Sequence, residues 1–183
     1  MPTPIGHMMT GVTIFLLLPL DYQKRKLLIF VVFFAILPDL DFLLGFISGN
    51  PNQFHHFFTH SFFFIVVMAG GIAFIMFKNN CSQRIFYAVL FMVTGFIHIG
   101  LDVLALDTSE PFGATIFWPF SQKYFISPLN VFSDVHRSSE TQTFIPSLFN
   151  MHNLKTLFIE IALLAPFLII AAFKRKKSHV KFG

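Results

Sequence analysis

The chain has 183 residues, of which 55% are hydrophobic, only 12% are charged and 28 are phenylalanine. A soluble domain of this length cannot hide so much apolar side chain, so the composition points to a small integral membrane protein. The formal charge of +4 is no nucleic-acid footprint, because Lys and Arg sit in short loops and the tail, and the single Cys81 excludes an intramolecular disulfide.

Apolar stretches recur along the chain, and the expected fold is all-α: a polytopic membrane protein of about five hydrophobic helices in one domain over residues 1–183. Spanning the hydrocarbon takes about 20 helical residues. The first stretch, 5–20, carries His7 and is not expected to be a secretory signal. No basic segment precedes it, and Leu18, Pro19, Leu20 and Asp21 stand where small cleavage-site residues would. The second, 27–46, is interrupted by Pro38, which removes a backbone donor and disfavours helix at the residue before it. Asp39 and Asp41 then lie near the start of a new helical piece, where backbone N–H groups and the helix dipole favour carboxylates. In the loop ahead of the third stretch, 61–77, Thr59 is the expected N-cap and His60 falls in the first turn. His55 and His56 precede it; adjacent histidines point different ways, so at most one is expected to share a metal with His60.

The fourth stretch, 85–106, sets His98 and Asp102 four apart, on one helix face. The fifth, 154–173, contains Glu160, a costly carboxylate in a membrane unless paired, with a Ser, a Thr or Lys155 as expected partner. Between them, 107–153 is too long for an idle loop and is expected to form short interfacial helices over the outer face, with Trp118 at headgroup level. Asp107 and Glu110 are further candidates for a ligand or a general base, whereas spacing alone gives Asp134, His136, Arg137 and His152 no role.

The basic residues orient the chain. Lys24, Arg25 and Lys26 follow the first stretch, Lys78 and Arg84 bracket the loop after the third, and Lys174 to Lys177 follow the fifth. The positive-inside rule puts all three groups in the cytoplasm, leaving the N-terminus, 48–60 and 107–153 outside and the C-terminus cytoplasmic. That topology uses none of the histidines, yet it gathers His7, Asp39, Asp41, His55, His56, His60, His98 and Asp102 at one outer end. An imidazole and a carboxylate four apart on a helix can bind one divalent cation from a rigid support, and ionisable groups inside membrane segments generally mark function. Asp39 and Asp41, two apart, do not face each other on a helix, so one is expected to bind metal while the other orients a histidine. The blander readings are a His98–Asp102 hydrogen bond and a helix cap at the kink.

An early His7, then Pro38-Asp39-Leu40-Asp41, then His55 to Ser61 as His-x-x-x-Thr-His-Ser, then His98 and Asp102 as His-x-x-x-Asp, then Gly113 and Trp118-Pro119-Phe120 form an ordered set. It resembles the YdjM family of inner-membrane metal-dependent hydrolases over the first two thirds of the chain. One departure is His56, where the family pattern usually has an Arg that would clamp a phosphate or carboxylate. A more distant likeness to the zinc-dependent phospholipase C and P1 nuclease group implies a principal metal shell of Asp39, His60, His98 and Asp102, with His7 and His55 serving a neighbouring ion.

The resemblance implies a bacterial inner-membrane hydrolase that uses a divalent metal, zinc first, and a site opening at headgroup level on the outer face points to a lipid or other amphipathic substrate, with a phosphoester first. Asp41 and His55 would orient ligands or move protons, and His56 and Trp118 would face the substrate. Membrane lipids are the expected partners and nucleic acid is not. The alternatives are a transporter or metal- or proton-handling protein using the same His/Asp cluster without hydrolysis, and a scaffold whose metal site is closed.

Overall fold

A computed structural model describes residues 1–22, 24–108 and 111–182, with the backbone alone for Leu20 and 177–182. Among these residues the chain is helical, with α1 Pro4–Leu17, α2 Arg25–Ile36, α3 Asp41–Ser48, α4 Phe62–Met76, α5 Cys81–Val103, α6 Thr141–Leu148 and α7 Met151–Phe182, and no strand. Two helices, α5 and the Met151–Lys176 part of α7, are long and apolar enough to cross a membrane. The pair α2 and Pro38–Ser48 makes a third if it counts as one span bent by 66°. The other two expected spans appear as α1 and α4, apolar helices below spanning length.

Local chemistry sets the helix ends. The Thr3 hydroxyl accepts from the Gly6 N–H and Pro4 follows at the first helical position, where its missing donor costs nothing. Ser61, not Thr59, caps α4: its Oγ accepts from the Phe64 N–H at 3.1 Å, while Thr59 is turned inward toward Asp41. A 3-10 turn at Phe58–His60 precedes that cap, so His60 lies before the helix and not in its first turn.

The core forms where α2, α4 and α5 meet. Phe34 and Phe91 are fully buried and stack with centroids 4.6 Å apart, while Val31, Ile65 and Ala69 fill the space beside them. Gly95 lets α4 and α5 approach, since a Cβ there would meet the Ile65 side chain at 2.7 Å. On the outside, Ile29, Val67, Ile75, Phe158 and Phe167 are exposed, the apolar exterior that a bilayer solvates.

Glu160 of α7 is buried and finds its partner at the other end of the chain. It accepts from the Thr3 N–H at 2.8 Å and the Thr3 hydroxyl at 2.6 Å, and a Cβ on Gly6 would stand only 3.0 Å from its Oε2. This clamp seats α1 on α7 and so places His7. Glu160→Ala orphans both Thr3 donors and is expected to destabilise the protein by about 1–3 kcal/mol. Glu160→Gln keeps the shape and an acceptor and should lose less. Thermal unfolding in detergent, in which the two variants behaved alike, would argue against the clamp.

The segment 107–153 departs from expectation: its described residues contain one α-helix, α6, and are otherwise an irregular strap. Pro111, Pro119 and Pro128 remove donors along it, and its backbone groups instead pair with neighbouring chain. Leu106 donates to the Phe132 carbonyl at 2.9 Å, Ser127 to Val103 at 2.9 Å, and Thr115 to His56 at 3.0 Å. Gly113 has a φ of +89°, and a Cβ there would collide with the Phe125 carbonyl, so only glycine fits this turn.

Candidate metal centre

Two breaks in helix and two helix ends build the polar cluster. Pro38 opens a 3-10 turn that carries Asp39 inward and starts α3 at Asp41. The turn before α4 delivers His60, α5 supplies His98 and Asp102 from adjacent turns, and the first turn of α1 supplies His7. All are buried, with His7, Asp41 and His60 fully so.

At the centre stand Asp39, His60, His98 and Asp102, each offering one ligand atom within 4.8 Å of the others. His60 Nε2 lies 3.7 Å from Asp39 Oδ1, 3.3 Å from Asp102 Oδ2 and 3.4 Å from His98 Nε2. His98 Nε2 lies 3.6 Å from Asp39 Oδ1 and 3.0 Å from Asp102 Oδ2. Ligand atoms about 2.0–2.2 Å from a tetrahedral ion stand about 3.3–3.6 Å from one another. The cluster has the size of a single coordination shell.

The tautomers point the same way. His98 Nδ1 is 2.7 Å from the Ala35 carbonyl, which can only accept, so Nδ1 carries the proton and Nε2 turns its lone pair to the centre. His60 Nδ1 is 3.1 Å from the Thr59 hydroxyl, which gives its own proton to Asp41, and 3.2 Å from Asp41 Oδ2, so Nδ1 faces acceptors and Nε2 is left free. Among the described residues, neither oxygen of Asp39 or Asp102 has a hydrogen-bond partner. Buried carboxylates without donors are costly, and a cation between them removes that cost. The residues present therefore fit a divalent metal.

Around this centre, Asp102 turns its Oδ1 to His7 Nε2 at 3.3 Å, and the His7 ring stacks on His98 with centroids 3.8 Å apart. Asp41 holds His60 with one oxygen and reaches His55 Nδ1 with the other at 3.3 Å, while the Thr59 hydroxyl donates to it at 3.0 Å. His55 and His56 both face inward and group with His60 as a second possible ligand set, contrary to the expectation that only one could. The reason is backbone: His56 has a φ of +62°, and this left-handed turn brings the neighbouring rings to 3.9 Å. Burial pushes the His55 imidazole well below its usual pKa and that of His56 below it.

His56 Nδ1 faces Asp107 Oδ2 at 3.5 Å, and the Gly113 N–H donates to the same carboxylate oxygen at 2.8 Å. Glu110 lies outside the described residues. Trp118 does not join the cluster; its ring contacts are with Phe57, Phe58 and Phe63.

Arg137 carries a role that spacing did not reveal. Its Nε donates to Asn52 Oδ1 at 2.9 Å, and its guanidinium lies 5.4 Å over the Phe42 ring, which stacks on His55 at 4.3 Å. A cation from the strap thus stands beside the loop that carries His55 and His56. The signal available in sequence was that 107–153 contains few basic residues, Arg137 among them.

The sequence model of the YdjM inner membrane protein family matches residues 1–178. No curated protein and no solved structure matches the chain.

Proposed function

The chain belongs to the YdjM inner membrane protein family, and from that premise we propose that it is a metal-dependent hydrolase acting at the outer membrane face on a lipid or other amphipathic phosphoester. The observation that carries this reading is the convergence of two imidazole lone pairs and two donorless carboxylates in one buried shell. Asp39, His60, His98 and Asp102 would hold the ion, and their nitrogen and carboxylate atoms suit zinc first among divalent metals. A divalent ion there supplies Lewis acidity toward the scissile group and activates water for attack.

The chain's own groups have separate tasks. Asp41 and the Ala35 carbonyl fix the tautomers of His60 and His98. His7 braces Asp102, and His55, whose buried Nε2 has no hydrogen-bond partner among the described residues, would take or deliver a proton. His56 and Arg137 lie on the strap side, where a guanidinium favours an anionic substrate group. Trp118 serves as an aromatic anchor near the headgroups in this reading. Counting α1 and α4 as short spans gives five, with the N-terminus outside and the C-terminus in the cytoplasm.

Transport draws support from the 66° bend beside Asp39 and Asp41, a broken-helix feature of many transporters. Against it, the buried ionisable side chains of the described residues gather toward one end: even Glu160 pairs with Thr3, just ahead of α1. The test is turnover of phospholipids and soluble phosphoesters by detergent-purified protein. Product release should stop on chelation, return with zinc and be absent in His98→Ala. Metal-loaded protein that turns over none of them, yet moves zinc or protons into proteoliposomes, would reverse the ranking.

A further inference from the structure

The strap and the start of α7 carry a further set of ligand-type side chains, away from the buried shell. Asp134 and His136 come from the irregular segment, and His152 comes from the first turn of α7. Asp134 Oδ1 is 2.9 Å from His152 Nε2, Asp134 Oδ2 is 3.3 Å from His136 Nε2, and the three can offer ligand atoms within 4.8 Å of one another. We propose that Asp134, His136 and His152 form a second divalent-cation site at the rim of the polar end, tying the strap to α7.

Three observations argue for a built site over a chance surface pairing. The two imidazole rings lie nearly parallel, 6° apart with centroids at 3.8 Å, so both Nε2 atoms are presented to one carboxylate from the same side. Each element is also held independently of any ion. Asn153 accepts from the His136 N–H at 2.8 Å and donates to the His136 carbonyl at 2.7 Å, while the Thr108 hydroxyl donates to Asp134 Oδ2 at 2.7 Å. Finally, Asp134 is buried but the His136 and His152 side chains are 58% and 40% exposed, which leaves one side open for entry and for water ligands.

Two imidazole nitrogens and one carboxylate favour zinc, nickel, cobalt or copper over magnesium or calcium, which prefer oxygen. Ligation would also have a consequence for the main site. Arg137 directly follows His136 and reaches Asn52, so an ion that fixes His136 fixes the approach of that guanidinium.

The test is titration of the full-length, detergent-solubilised protein with zinc and with cobalt(II), the latter read by its visible absorption. His98→Ala/Asp102→Ala should keep one equivalent, and adding His136→Ala/His152→Ala should remove it. His136→Ala/His152→Ala alone should lose one equivalent relative to the wild type, and also lose the metal-induced protection of 131–140 against limited proteolysis. Unchanged stoichiometry in that last variant overturns the proposal, leaving Asp134 as a hydrogen-bond clamp for two histidines. A wild type that binds one ion, lost with His136 and His152 but kept without His98 and Asp102, would sustain this site while refuting the buried one.

Discussion

Asp102→Ala is expected to strip the buried shell of its metal. Apparent binding free energies for four-ligand zinc sites run to about 10–16 kcal/mol, so one ligand in four carries about 3 kcal/mol, a loss of about 100-fold or more in affinity. Asp102 should sit at the upper end of that range because its contacts are shared. Its Oδ2 faces both His60 and His98, and its Oδ1 faces His7. Removing the carboxylate takes away a ligand, a quarter of the shell's ligand atoms, and the ion-pair contact of the fully buried His7. Asp102→Asn keeps the volume but not the charge, and should fall between wild type and Ala.

The effect separates from misfolding through linkage. An ion that binds only the folded protein stabilises it by about 2.7 kcal/mol at a hundred times its Kd. Wild-type protein should therefore gain thermal stability on adding zinc, and Asp102→Ala should lose most of that gain while its metal-free helicity by circular dichroism stays near wild type. The Asp134 group could still contribute a small shift, so the measurement belongs in the His136→Ala/His152→Ala background. Full zinc stabilisation of Asp102→Ala in that background would mean that the shell does not bind metal.

How much of this could be read beforehand follows from how local each determinant is. His98 and Asp102 are four apart in an apolar helix, and that spacing alone puts them on one face. The gathering of His7, Asp39, His60 and His98 at one end was legible too, because hydrophobic run lengths and basic loops set the alternation of the helices. The division of labour between Asp39 and Asp41 was legible in kind, since residues two apart cannot both face one point, but not in assignment. That depends on the direction of the turn at Pro38. His55 and His56 misled for the same reason: a positive φ at a non-glycine residue leaves no signature in sequence. Nor does spacing join Asp134, His136 and His152, because an intervening helix, α6, and the Asn153 bonds fold the strap back on itself. Helix periodicity has nothing to say about a strap whose backbone partners are distant.

Asp41 tests whether the shell is tuned from outside as well as built from within. No oxygen of Asp41 belongs to the central ligand set; one accepts from the Thr59 hydroxyl and stands 3.2 Å from His60 Nδ1, the other faces His55 Nδ1. Because a carboxylate only accepts, it keeps the His60 proton on Nδ1 and the lone pair on Nε2. Asp41→Asn replaces one acceptor with a donor. If the amide NH2 turns to His60, the proton moves to Nε2 and the ligand lone pair is lost; if it turns to His55, the Thr59 hydroxyl and His60 keep their acceptor. Either way the negative charge that strengthens the imidazole as a ligand is gone. Metal affinity should fall about 10–100-fold, the range for groups that orient a ligating histidine. Stoichiometry at saturating zinc should stay at the wild-type value, unlike Asp102→Ala, and the 15N shifts of His60 in labelled metal-free protein should report the change of tautomer. Wild-type affinity in both Asp41→Asn and Asp41→Ala would assign Asp41 to fixing the fold of the His-rich loop and take it out of the metal chemistry.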